Sequence, residues 1–466
     1  MKLTKYLYQT TAEKASMKWL FSMNKLLCLL LIFAFGFQSL QAQRYSKRQI
    51  TKDLEELPGF ENAFIGFLLV DPSKRKPIFE QYADKHMTPG STTKLFTIYG
   101  AMNHLPDLLP ALEYTTKGDS LIFWSTGYPM TLHPDHPDST VVNFLKETDK
   151  KLYYWPRPTE DSRFGPGWGW DDYPYYFGAE KSVFPIYGNS LKFILDNKNK
   201  TYTMSPEYRG FRVSVDSLYA ERSSVTRDEF WNEFKIQFST NYDVDTITRA
   251  FHTSDALFTE LLSNAIQKPV HTLEMQARPE NHETLNGVVA DSLYKWTLQD
   301  SDNLFAEQIM LMISGQQSDT LSTEQGISFT KTGTEVMQIL SENIDLVWRD
   351  GSGLSRYNMF TPSTFGTMLY NWTYQYPGKQ LAESPSTDFL NFFPQGGTSG
   401  TLKDWYGPYV YAKTGTLSNN HALVGFIQTD KGKTLQFVLI ANHYTVPTST
   451  IRKSIGVILE KVKKGY

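Results

Sequence analysis

Cysteine is nearly missing from this 466-residue chain, Cys28 being the only one. It lies in the apolar run Leu26–Phe37, so a chain processed beyond that run has no disulfide framework, no thiol nucleophile and no zinc–thiolate site. Charge of one sign is missing too. Lys+Arg 46 against Asp+Glu 49 leaves a net charge of -3, which argues against a nucleic-acid binder that works through bulk positive charge. No apolar run reaches the ~20 residues that cross a bilayer, and a mean hydropathy of -0.39 excludes a polytopic membrane protein. The sequence has no Gly-x-Ser-x-Gly elbow, Walker loop, Gly-x-Gly-x-x-Gly or His-Glu-x-x-His. Repeats and low-complexity tracts are lacking as well, and a chain this long buries enough surface to fold without metal or disulfides.

The N-terminus carries an export signal by its composition. Lys25 precedes the apolar run Leu26–Phe37, and Ser39-Leu40-Gln41-Ala42 follows. A basic residue, a short apolar stretch and a small residue at the end make a secretory signal peptide. Residues 1–42 are therefore expected to be removed by cleavage after Ala42, with Met17 or Met23 as a fitting start. Cys28 lacks the small residues that precede a lipoprotein cysteine. A periplasmic location with no transmembrane anchor in the mature chain follows.

Further along, Asn62–Asp71 reads as a buried strand and Lys76–Tyr82 as its hairpin partner. Ser91–Leu105 has helical spacing after the Pro89-Gly90 break. Short β-type runs then appear at Leu121–Trp124, Thr201–Met204, Phe211–Val215 and Phe234–Phe238, with an aromatic Gly/Pro-rich loop from Phe164 to Phe177. Helical patterns return at Asp255–Ile266, Val288–Leu298 and Asn303–Ile313. Tyr409–Ala412, Ala422–Gln428 and Leu435–Ala441 alternate as adjacent antiparallel strands, and Ser449–Lys463 closes the chain as an amphipathic helix. The expected fold is α/β: an antiparallel sheet flanked by helices, formed by 43–107 and 253–466 and split by a β-rich insertion at 108–252.

Histidines are scattered without a triad pattern, so a hydrolase here would use another base. The cluster His133-Pro134-Asp135-His136-Pro137-Asp138 reads as a solvated loop, since its prolines oppose the helical geometry two histidines three apart need to share a metal. Lysine is the alternative base. Ser91-Thr92-Thr93-Lys94 sets a hydroxyl and an amine on one helical face, where a neutral lysine could take the serine proton. Ser-x-x-Lys also occurs at Ser73–Lys76 and Ser292–Lys295. Ser-x-Asn occurs at Ser301–Asn303, but also at Ser239–Asn241, Ser341–Asn343 and Ser418–Asn420. Lys-Thr-Gly-Thr occurs at Lys331–Thr334 and Lys413–Thr416. Context separates the copies. Ser91 opens an apolar helix, where backbone N–H groups face a substrate, whereas Ser73 lies in a charged turn. Lys413 lies between strand-like segments, whereas Lys331 runs into the helical Glu335–Leu340.

In this order STTKLFT, SDNLFAEQ and AKTGTLSN, with DGSGLSRYN at Asp350–Asn358 and the Gly167–Asp172 stretch, resemble the D-alanyl-D-alanine carboxypeptidase/endopeptidase group of low-molecular-weight penicillin-binding proteins. The likeness covers nearly the whole mature chain; the two motif serines are closer together than that pattern leads one to expect, as if the insertion were trimmed. The resemblance implies a penicillin-binding/β-lactamase-like domain that acts on peptidoglycan stem peptides, is acylated by β-lactams, and needs no cofactor or metal. Ser91 would be the nucleophile and Lys94 its base. Lys94 must then be neutral, its pKa brought from about 10.4 to about 7 by burial and by the Lys413 cation. Ser301 would relay a proton to the leaving amine, and Asn303 would hold the substrate amide. Lys413 and Thr414 would take the terminal carboxylate, and the N–H groups of Ser91 and Thr416 the oxyanion. Asp172 and Arg356 would border a side pocket for the third stem residue, whose amine-plus-carboxylate group suits such a pair. Ser301 and Asn303 also suit a helix cap. Two other readings fit the same motifs: a serine β-lactamase or esterase on this scaffold, and a non-catalytic cell-wall-binding pseudoenzyme.

Overall fold

A computed structural model describes residues 45–74, 76–274, 277–333, 346–375 and 385–466. The expected signal peptide at 1–42, Cys28 within it, and the helical reading of Glu335–Leu340 lie outside the described residues.

One antiparallel sheet organises the molecule. After helix α1 (Lys47–Glu56), strands β1 (Phe64–Asp71) and β2 (Lys76–Gln81) form the expected hairpin. A 3₁₀ turn at Gly90–Thr93 leads into α2 (Lys94–His104), and much later comes α3 (Asn303–Gly315). Three C-terminal strands, β3 (Val410–Leu417), β4 (Asn420–Gln428) and β5 (Thr434–Asn442), precede the closing helix α4 (Thr448–Gly465). The sheet order is β3-β4-β5-β1-β2, with every neighbour antiparallel. The strand expected at Tyr409–Ala412 runs on to Leu417, so Lys413-Thr414-Gly415-Thr416 lies on the strand itself.

The apolar pattern explains why this sheet is central. β4 and β5 are buried almost from end to end, as strands covered on both faces must be. Along β5, Leu435, Phe437, Leu439 and Ala441 enter one core while Val438 and Ile440 enter the other. α4 covers the first face with Ile451, Ile455, Ile458, Leu459 and Val462, a stripe at helical spacing. Burying each of these side chains contributes roughly 1.5–3 kcal/mol. On the opposite face α2 and α3 pack against each other. Lys94–Ala101 and Leu304–Gly315 are buried on every side, so these two helices are core elements with no solvent face.

The β-type runs of the middle region form smaller sheets. Strands Val244–Ala250, Ser190–Asp196 and Thr201–Ser205 make one; Arg212–Val215, Glu233–Gln237 and Ser224–Arg227 make another. A five-stranded sheet runs in the order Val270–Thr272, Lys151–Tyr154, Ser120–Ser125, Leu108–Lys117, Glu283–Val289. Its two edge strands come from beyond residue 252 in the chain. They are short or mostly exposed, without alternation to announce them. Since Glu283–Val289 is a strand, the helix expected from Val288 begins at Ala290.

Candidate active site

Two glycines let the nucleophile turn and the sheet edge meet backbone to backbone. Gly90 has φ +55, and a Cβ on it would lie 2.9 Å from the Thr416 amide nitrogen. A Cβ on Gly415 would lie 3.0 Å from the Ser91 nitrogen and 2.2 Å from the Pro89 carbonyl oxygen. Only hydrogen at both positions permits this approach, which brings the Ser91 and Thr416 N–H groups into one neighbourhood. The turn is held by its threonines: Thr92 Oγ1 donates to Pro89 O at 2.8 Å and Thr93 Oγ1 to Gly90 O at 2.9 Å.

Lys94, one turn after Ser91, is fully buried. Its Nζ lies 3.0 Å from Ser91 Oγ, 2.5 Å from Asn303 Oδ1 and 2.7 Å from Ser352 O. Asn303 Nδ2 donates to Phe177 O at 2.8 Å, which turns the amide oxygen toward the lysine. Two of the three partners can only accept; the third carries a hydroxyl proton. A neutral amine has two N–H bonds and one lone pair, and fits this set with the lone pair toward Ser91. Burial lowers the Lys94 pKa to about 8, while Asp302, Asp350 and Glu307 hold it up. At pH 7 about a tenth of the molecules then carry the free amine.

The second serine and the second lysine form a matching pair. Lys413 Nζ donates to Ser301 Oγ at 2.7 Å and to Thr414 O at 2.8 Å. Burial and then the Lys94 ammonium hold Lys413 well below the ordinary lysine range. The mutual repulsion, expected to act on Lys94, falls on Lys413, since Lys94 has acids nearby to offset it, Asp302 and Asp350 first. Ser301 stands at φ +60, a left-handed position, and Asp302 caps α3, accepting from Phe305 N at 2.8 Å. The cap expected of Ser301 and Asn303 therefore belongs to the residue between them, and both motif side chains are free for the site. Thr414 Oγ1 donates to Thr401 Oγ1 at 2.9 Å. Thr416 Oγ1 contacts His421 Nδ1 at 2.8 Å, and burial followed by Arg452 and Lys413 pushes that imidazole down to about 3, keeping it neutral.

Asp172 and Arg356 stand apart from this cluster, on two segments that are stitched together. Trp168 Nε1 donates to Asp350 Oδ2 at 2.8 Å, Ser355 Oγ to Pro166 O at 2.6 Å, and Arg356 N to Gly167 O at 3.2 Å. Asp172 is half-buried at the end of a 3₁₀ turn; burial and then Asp171 raise its pKa, and Arg356 opposes them. A cleft of about 620 Å³ lies against the head of α3, lined by His133, His136, Tyr176, Asp302 and Thr401; none of Ser91, Lys94, Ser301, Asn303 or Lys413 lines it.

The competing motif copies are used differently. Ser73 Oγ donates to Asp71 Oδ1 at 2.6 Å in the β1–β2 turn, and Lys331 lies on the helix Thr323–Gly333 with Nζ on Leu346 O at 3.0 Å. His133 is not solvated as expected: it is buried with its ring 4.5 Å from that of Phe305, while His136 stacks on Trp296 and pairs with Asp300 at 2.6 Å. Among the described residues no group of three or more His, Cys, Asp or Glu side chains is placed to hold a metal. Sequence reading missed Glu307, Ser352, Phe177, Thr401 and His421. Ser352, Phe177 and Thr401 meet Lys94, Asn303 and Thr414 from separate segments, Glu307 reaches Lys94 through Ser352, and His421 faces Thr416 across the β3–β4 hairpin. Glu307 also stands four residues after Asn303 on the same helical face.

Comparison with known proteins gives the family and the fold. Residues 157–462 match the D-Ala-D-Ala carboxypeptidase 3 (S13) family. The chain is 28% identical over 195 residues to penicillin-sensitive carboxypeptidase A of Dictyostelium discoideum, covering 39% of this chain and only 34% of that protein. It is 23% identical over 439 residues to D-alanyl-D-alanine carboxypeptidase DacB of Haemophilus influenzae, covering 84% of this chain and 87% of that one. The crystal structure of penicillin binding protein 4 (dacB) from H. influenzae superimposes with a TM-score of 0.70 at 19% identity, over 89% of this chain and 99% of that chain, which shows a shared fold. A second structure of that protein holds a β-lactam. With the match spanning well over half of its length, the chain belongs to the D-Ala-D-Ala carboxypeptidase 3 (S13) family.

Proposed function

We propose that this chain is a serine DD-peptidase that cleaves after a D-alanine in peptidoglycan stem peptides through an acyl-enzyme on Ser91. The observation that carries the reading is the hydrogen-bond set of Lys94, two pure acceptors and the Ser91 hydroxyl around one buried nitrogen. Lys94 takes the Ser91 proton as the oxygen attacks the carbonyl. The Ser91 and Thr416 N–H groups receive the oxyanion; one such donor is typically worth ~3 kcal/mol. Ser301, hydrogen-bonded to Lys413, relays the proton held by Lys94 to the leaving amine, its own hydroxyl being restored in the same step. Water then attacks the acyl group, one of its protons returning to Ser91. The terminal carboxylate of the substrate lies against Lys413, Thr414 and Thr416. Asn303 orients Lys94 with its carbonyl end, and its amide end, now on Phe177 O, is the donor nearest a substrate amide. Asp172 and Arg356 read the third stem residue from the rim.

The same serine would be acylated by β-lactams; the Haemophilus protein has been crystallised in complex with one. A peptidoglycan substrate and an export signal together favour the periplasm; among the described residues no helix is long and apolar enough to cross a membrane. In this reading 43–107 and 253–466 form the peptidase domain and 108–252 its β-rich insertion, whose sheet is completed by Val270–Thr272 and Glu283–Val289. The test is incubation of the folded, purified chain with a pentapeptide ending in D-Ala-D-Ala. Stoichiometric turnover to D-alanine is expected. Absence of both D-alanine release and covalent labelling by fluorescent penicillin, in protein with a folded spectrum, would overturn the proposal.

A further inference from the structure

We infer that Glu307 is a positioning residue that keeps a proton in the resting protein and, acting through Ser352, sets the protonation of Lys94. The inference rests on the reading of Lys94 as the base for Ser91.

Glu307 projects from α3 one turn after Asn303, so both side chains face the lysine from one helix. Its Oε1 accepts the Ser352 N–H at 2.7 Å, and the carbonyl of the same Ser352 receives Lys94 Nζ at 2.7 Å. The residue that anchors the base is thus itself anchored by Glu307. The other oxygen, Oε2, is buried with no hydrogen-bond partner among the described residues. An ionised carboxylate is poorly served by such a site, because a bare buried oxygen carries the full desolvation cost.

Asp350, the second acid in this pocket, is built the opposite way. It accepts from Gly353 N at 2.9 Å, Ser355 N at 2.6 Å, Asn358 Nδ2 at 2.6 Å and Trp168 Nε1 at 2.8 Å. With Ser352 Oγ at 3.4 Å, five donors converge on a carboxylate, so the negative charge belongs to Asp350 and the proton to Glu307. Burial and then Asp350 raise the Glu307 pKa to about 7, opposed by Lys181 and by the Ser352 N–H. The charged groups that face this unit are Asp350 from its loop, Lys181 from across the pocket, Lys94 from α2, and Asp302 at the head of α3.

The sign is then fixed. A neutral Glu307 adds nothing to the stability of the Lys94 ammonium; because Glu307 ionises at about 7, below Lys94 at about 8, its charge is in place while the amine titrates and holds that pKa up. As Glu307 ionises, its charge favours the ammonium and opposes the base form.

The test measures penicillin acylation against pH for the unaltered protein, Glu307→Gln and Glu307→Ala, each checked by thermal melt. Glu307→Gln keeps the shape and the bond to Ser352 but cannot ionise. Its acid limb should move to lower pH by about one unit, with labelling retained. Glu307→Ala leaves the Ser352 N–H unmatched and should slow acylation roughly tenfold or more at every pH. Infrared spectra of the unaltered protein need no variant to fold: they should show a protonated buried carboxyl band that fades as pH rises through about 7. A Glu307→Gln limb that overlays the unaltered one, a folded Glu307→Gln as inactive as Glu307→Ala, or absence of the infrared band would each overturn the inference. Failure of the unaltered protein to be acylated would instead sink the peptidase reading, while the infrared band still decides whether Glu307 holds a proton.

Discussion

Lys94 on α2 and Lys413 on β3 are both fully buried, and each touches a serine hydroxyl, at 3.0 Å and 2.7 Å. Their surroundings differ in one respect. Asp302 and Asp350, joined by Glu307 once it ionises, offset the burial of Lys94, whose pKa stops at about 8. Burial and the neighbouring ammonium act on Lys413 with no acid to oppose them. Burial alone therefore assigns no role to a lysine; the counter-charge does. Lys94 has enough to titrate near neutrality, as a base must. Lys413 is left short of a negative charge, and an arriving carboxylate supplies it.

Replacing each lysine should separate these two roles. Lys94→Met should slow acylation by about 10²–10⁴-fold, the usual worth of a general base, and abolish its pH dependence. In the unaltered protein the rate should rise about tenfold per pH unit below about 8 and level off above, because only the free amine accepts a proton. Stopped-flow labelling with a penicillin across that range checks both. Lys413→Met should lower kcat/KM about 10–100-fold for a peptide with a free C-terminal carboxylate, the worth of one hydrogen bond to a charged group. The methyl ester of the same peptide should lose far less. Equal losses on both substrates would erase the distinction between the two amines. The smallest effect should come from the contact that brings them together: Gly90→Ala places a Cβ at positive φ 2.9 Å from Thr416 N and should cost about 1–3 kcal/mol of stability in a thermal melt.

Much of the site was legible because its chemistry follows local spacing. Ser91 and Lys94 share a helical turn, and Lys413 could be told from Lys331 because one copy is flanked by strand-like residues and the other by a helix. β4 and β5 were legible as strands through their apolar runs, although the expected alternation gives way to burial on both faces. What stayed hidden depends on packing between distant segments. Nothing around Phe177 or Thr401 in the chain marks them as partners of Asn303 and Thr414, and the stretch Asp350–Asn358, though singled out, does not tell that the Ser352 carbonyl is what Lys94 meets. The cap of α3 was read as Ser301 or Asn303 because all three residues at that start have capping side chains; the backbone turn at Ser301 selects Asp302. Val270–Thr272 and Glu283–Val289 escaped notice because an exposed edge strand needs no apolar period.

The most direct measurement is mass mapping of the protein after brief exposure to a penicillin, done in parallel on Lys94→Met. The account predicts one adduct, on the peptide that contains Ser91, formed promptly in the unaltered protein and barely at all in the variant. An adduct on another residue, or one that forms on Ser91 just as fast without the Lys94 amine, would contradict it.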